Sequence, residues 1–150
     1  IEVSRDALVK YLAIRPYNVR LKTLLWKLGM SQQKHCNREG SFYGPLYRQF
    51  KDREIAHNLN GDYAAQAAEG LKKYGKETLA YSVCLQGRIP DAHLDARARR
   101  LTVKLFLSHL HHVWFEMEFG RSARKAYVLA HIPGHEDEIP PPNYDDPYCK

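Results

Sequence analysis

Five of the eight histidines of this 150-residue chain lie between positions 109 and 135: His109, His111, His112, His131 and His135. His109, His112 and Glu116 are spaced i, i+3 and i+7, which on a helix sets two imidazoles and a carboxylate on one face. With His135 as a fourth ligand, that set suits a divalent metal and the hydrolytic chemistry of a metal-dependent nuclease. A divalent metal is the one cofactor the residues leave open. The spacing is not an HExxH motif. The competing reading is that these are core or interface histidines bonded to backbone, and His111 beside Trp114 and Phe115 has the look of packing.

Two basic constellations point to different chemistry. Arg15, Asn18, Arg20, Lys22 and Lys27, joined by Lys51 and Arg53, form the first; Arg97, Arg99, Arg100 and Lys104 form the second, with Arg97, Arg100 and Lys104 at i, i+3 and i+7 on one face. Lys and Arg displace the counterions condensed on a nucleic-acid backbone, and a helix N-terminus adds unpaired N–H donors, so such residues suit phosphate recognition. Any one of them also reads as an ordinary solvated charge on an amphipathic helix. Like charges at these spacings repel, however, so an unpaired stripe calls for an anion opposite. Nucleic acid and an acidic protein face serve equally, which keeps a helical protein-interaction module among the readings. Asp95 is placed to pair with Arg99.

Charge is unevenly spread along the chain. Residues 1–53 hold 11 Lys/Arg against 4 Asp/Glu, residues 54–134 hold 11 against 8, and residues 135–150 hold 1 against 5, within a total of +6. The front is basic and the end acidic. No GxGxxG, P-loop or GxSxG occurs, so nucleotide binding and serine hydrolysis have no motif behind them. Ser4 and Ser108 have no support as nucleophiles, and Glu136, Asp137 and Glu138 read as a solvent-facing acidic run. Cys36, Cys84 and Cys149 are an odd set without CxxC spacing, which argues against a disulfide framework and a cysteine zinc site and for a reducing, cytoplasmic setting. No apolar run is long enough for a bilayer, so no membrane partner is expected. The first residue, Ile1, points to processing or to a portion of something longer.

The elements that must position these residues are helices. Ser4 caps a helix to about residue 13, broken at Arg15–Pro16. Asn18 caps the next, with Leu21, Leu24, Leu25 and Leu28 at i, i+3, i+4 and i+7 and Gly29 as a stop. Residues 31–40 read as a loop, and Ser41 caps a third helix with Pro45 in its first turn and Tyr43 and Tyr47 in the core. Asn60–Gly61 is a turn; Asp62 caps an alanine-rich helix that stops at Gly75; a short element covers about 78–85. Pro90–Asp91 opens the longest helix, to about Glu118 with Gly120 beyond. Its stripes Leu94, Ala98, Leu101, Leu105 and Phe106, Leu110, Val113, Met117 predict burial on two sides. Residues 126–131 read as extended. The fold class is all-α: a single-domain bundle of five or six helices over 1–131 and an extended acidic, proline-rich tail over 132–150, with Pro140, Pro141 and Pro142 excluding a helix there.

The segments RPYNVRLKTLLWKLG (15–29), SFYGPLYRQFKDREIAHN (41–58) and HLDARARRLTVKLFLSHLHHVWFEMEFG (93–120), followed by KAYVLAHIPGH and PPPN, resemble the C-terminal part of insertion-sequence transposases related to the Piv and MooV DNA recombinases. The resemblance spans most of the chain. It implies a helical transposase domain that acts on DNA, in some members with a guide RNA, behind a RuvC-like domain that carries acidic metal ligands. Asn18 and Arg20 are similar to the asparagine and arginine of the family's nucleic-acid-facing helix and inherit a binding role. The family's Ser-Gly motif and acidic tetrad are absent, so the resemblance implies a binding or assembly portion whose catalysis is completed elsewhere. DNA, guide RNA and a second copy of the chain are the partners it suggests.

Overall fold

Ser4, Asn18 and Thr78 stand ahead of apolar-periodic segments. In the computed structural model of the chain, which describes residues 4–14, 17–125, 131 and 139–145, each accepts a hydrogen bond from a backbone N–H three residues on. Each side-chain oxygen thereby satisfies one of the orphan donors of a first helical turn. The helices they begin are α1 (Arg5–Ile14), α2 (Val19–Lys34) and α5 (Leu79–Leu85); α3 (Tyr43–Leu59), α4 (Ala64–Leu71) and α6 (Asp91–Phe119) are the other elements among the described residues. Among the described residues there is no strand, so the all-α bundle is the architecture. Of residues 126–131, read from sequence as extended, 126–130 lie outside the described residues and His131 is helical, not extended.

Several boundaries differ from the sequence reading for identifiable reasons. Gly29 does not stop α2, which runs five residues further to Lys34. A Cβ at Gly29 would lie 3.1 Å from Val103 Cγ2 on α6, so the glycine sits where two helices nearly touch. Asp62 does not cap α4: its carboxylate is 2.5 Å from His57 Nδ1, and the Ala64 N–H bonds to the Gly61 carbonyl instead. α4 ends at Leu71, before Gly75, in tight turns in which the N–H groups of Lys73 and Tyr74 both reach the Gly70 carbonyl. Ser41 accepts from the Gly44 N–H, and Pro45 falls in the first turn of α3 as read. Gly120 ends α6 in the left-handed conformation, φ 60°, which glycine adopts without steric penalty.

The long helix α6 is the spine: α2 and α3 pack on it, α2 also packs on α3, and α4 pairs with α5. Tyr63, Ala67, Cys84, Ile89 and Leu94 form one buried cluster under α4 and α5, with Ile55, Leu71 and Tyr74 around it. Tyr47, Ala98 and Thr102 are buried as well. The second expected stripe of α6 divides, with Phe106 and Val113 half-buried and the other two positions exposed. Leu110 and Met117 are 46% and 77% exposed, and the buried positions in that half are polar, His109 and Glu116. No helix among the described residues is long and apolar enough to cross a membrane.

Candidate functional site

α2 comes close to α6 at Gly29, and a groove of about 510 Å3 lies between the two helices. Leu21, Leu25 and Trp26 from α2 and Val103 and Leu107 from α6 line it with apolar surface. Lys22, Arg99, Arg100 and Lys104 supply four cations, and no carboxylate lines it. The Lys22 ammonium donates to the Tyr17 hydroxyl at 3.0 Å and lies 4.4 Å from that ring's centroid. Arg99 is held by the Gln33 side-chain oxygen at 3.2 Å and by Met30. Arg100 and Lys104 are exposed and form no salt bridge with a described residue. The two basic constellations, distant in the chain, thus meet in Asn18 and Lys22 on one wall and Arg100 and Lys104 on the other.

Other residues of those constellations are placed elsewhere. Arg15 lies outside the described residues. Arg20 is exposed on α2 and does not line the groove, and Lys27 lines a separate shallow hollow with Met30 and Lys34. Lys51 bridges Asp95 at 2.9 Å, and Arg53 lies over the Phe50 ring, 5.2 Å from its centroid. Asp95 therefore pairs with Lys51, and accepts from the Tyr47 hydroxyl at 2.7 Å, rather than pairing with Arg99.

Arg97 is the clearest correction to the expected cationic stripe. Its Nε donates to Glu54 Oε2 at 2.6 Å, and its guanidinium lies 4.4 Å from the Tyr63 ring centroid, so it serves the interior. Glu54 is 5% exposed and also accepts from the Tyr63 hydroxyl at 2.6 Å. Burial pushes the Glu54 carboxyl up, but the hydrogen bonds from Tyr63 and Arg97, with the Arg97 charge, outweigh it and hold it below its ordinary value. Asp95 follows the same pattern: burial raises it, while the bonds from Lys51 and Tyr47 lower it further.

No protein-family model, characterised protein or solved structure matches the chain. The roles of its residues therefore rest on their own geometry.

The described members of the histidine set, His109, His112 and Glu116, are taken up by partners within the protein. Among the described residues no group of three or more His, Cys, Asp and Glu side chains is disposed to hold a metal ion. His109 is buried with Nδ1 2.9 Å from the Tyr43 hydroxyl and Nε2 2.7 Å from the Ile139 carbonyl, so both ring nitrogens are committed to protein partners. His112 Nε2 lies 3.2 Å from Glu116 Oε1. The Glu116 carboxylate also accepts from the Tyr144 hydroxyl at 2.8 Å and the Ala123 N–H at 3.3 Å. His135 lies outside the described residues. The expected ligands instead fasten residues 139–145 onto α6. What sequence reasoning missed is the partner side of this arrangement; the signal for it was a histidine and a glutamate seven apart, and so on one face, in the second half of α6.

Proposed function

We propose that the chain is a nucleic-acid-binding helical portion of a DNA transposase or recombinase, and that the groove between α2 and α6 grips phosphates while catalysis is completed elsewhere. The observation that carries the binding reading is the convergence of Lys22, Arg100 and Lys104 on one groove without a carboxylate. Cations gathered in a concave, low-dielectric wall focus a positive potential that favours a polyanion. Trp26, 60% exposed, and Tyr17 add flat apolar surface on which bases can stack. The recombinase context comes from the sequence resemblance alone, with DNA as partner and a guide RNA as the second candidate.

Anisotropy titrations of labelled duplex DNA, single-stranded DNA and structured RNA over a salt series test this reading. Affinity should persist near ~0.15 M salt and fall linearly on a log–log plot, with a slope reporting several phosphate contacts. Arg100→Glu with Lys104→Glu should weaken binding about tenfold or more while the helical circular dichroism stays unchanged. Equal affinity in the double variant would overturn the groove.

A second reading, a helical protein-interaction module, is favoured by one feature. Leu110, Trp114 and Met117, at i, i+4 and i+7, lie on one face of α6, and Trp114 is 66% exposed. Exposed apolar stripes of this kind mark association surfaces. Sedimentation of the chain, alone and with Trp114→Glu, separates the two readings.

A further inference from the structure

A second cavity, about 340 Å3, lies between α4, α5 and the first turns of α6, on the other side of Arg100 from the groove. Buried Cys84 and Ile89 are among its apolar lining. The Tyr74 hydroxyl is 2.6 Å from His93 Nε2, with the two rings edge to face, and this pair makes one wall. The cavity also holds an unbalanced charge. Of the charged groups lining it, Glu69 is committed to Lys72 at 3.2 Å and Arg97 to Glu54 at 2.6 Å. Lys73 and Arg100 have no salt bridge to a described residue. Two cations facing one concavity repel unless an anion lies between them.

The geometry points to a pocket for one nucleoside monophosphate, with Lys73 and Arg100 on the phosphate and the base against the Tyr74–His93 wall. The volume is at the small end of ligand sites and suits a single nucleotide rather than a duplex. Gln66 on the rim carries an amide that can both donate to and accept from a base edge. Because Arg100 lines both cavities, a strand held in the groove could turn one nucleotide out into this pocket, as enzymes that act on single bases do. For that source the inference rests on the proposed function; a free mononucleotide is the other source, and the chemistry of recognition is the same.

Titration of the isotope-labelled full chain with AMP, and separately with a short single-stranded oligonucleotide, decides it. AMP should shift the His93 resonances saturably, adenosine should do so much more weakly, and Lys73→Glu should weaken AMP about tenfold, the scale of a lost charged hydrogen-bond partner. Lys73 is exposed, and Lys73→Gln removes the charge without reversing it. If Lys73→Glu weakens the oligonucleotide as well, the nucleotide comes from a strand; if it weakens AMP alone, the pocket takes a free mononucleotide. No saturable AMP shift at His93, or adenosine binding as tightly as AMP, overturns the pocket. Failure of the oligonucleotide to bind the wild-type chain overturns the groove instead, and the AMP arm still decides the pocket.

Discussion

Glu54 is a carboxylate almost without solvent, tolerable because Arg97 and Tyr63 both donate to it. Removing one partner leaves a buried charge, which is costlier than never having the pair. Arg97→Ala should therefore destabilise the fold by about 2–3 kcal/mol, below the ~3–5 kcal/mol of a fully buried pair because a third of the Arg97 side chain faces water. Urea denaturation measures it. The depressed Glu54 and Asp95 carboxyls also set a pH dependence. Their folded-state values lie below the unfolded ones, so their stabilisation is fully present above the ordinary range of about 3.9–4.3 and is lost as pH falls through the folded values. Glu54→Gln should flatten the acid limb of stability against pH; an unchanged slope would assign the acid loss to other groups. At the far end of α6, Tyr144→Phe removes one donor from Glu116 and should lower stability by about 1–2 kcal/mol. Limited proteolysis should then cut the chain sooner beyond α6, since the hydroxyl is part of what holds residues 139–145.

At the scale of elements, two glycines act through what a side chain would meet. At Gly44 a Cβ would stand 2.5 Å from the His35 carbonyl oxygen and 2.7 Å from Cys36 Cα, and backbone cannot give way as a side-chain end can. Gly44→Ala should cost about 1–3 kcal/mol and loosen the turn between α2 and α3, read as a lower melting temperature. Gly29 differs. Its nearest neighbour would be a Val103 methyl at 3.1 Å, so Gly29→Ala should be close to neutral, the tight contact offset by about 1 kcal/mol of helix propensity. Gly29→Leu cannot be accommodated without parting α2 from α6; it should destabilise the fold and weaken nucleic-acid binding together, because the groove depends on that close approach. The caps at Ser4 and Asn18 were legible at this scale because capping is local chemistry, a side-chain oxygen ahead of an apolar period, whereas Asp62, read the same way, turns to His57 instead. The glycines were not, since a glycine in a helical pattern reads as a stop unless the element pressed against it is known.

Across the whole molecule, the excess of positive charge divides into cations the fold consumes and cations it leaves. Lys51 and Arg97 are consumed by Asp95 and Glu54. Lys22, Arg100 and Lys104 are gathered at the groove. Charge reversal should therefore separate two phenotypes. At Lys104 it should reduce the salt dependence of nucleic-acid affinity by about one unit of slope with little change in melting temperature. At Lys51 it should lower the melting temperature first, because it sets two like charges together where a bridge stood. Matched salt titrations and thermal melts of the two variants check the division.

By itself the sequence determined the all-helical class, the starts of most helices, the length of α6 and the existence of a basic surplus. These depend on neighbours within a few turns: periodicity, capping and the backbone preferences of glycine and proline. Only the tertiary structure decided which cations are available, because Arg97 and Arg100 are near neighbours on one helix, yet Arg97 meets a glutamate of α3 and Arg100 opens onto two cavities. It also decided that His109 and Glu116 bond to residues 139–145 beyond α6. A side chain's partners are set by whatever element packs opposite, and spacing along one helix carries no record of that.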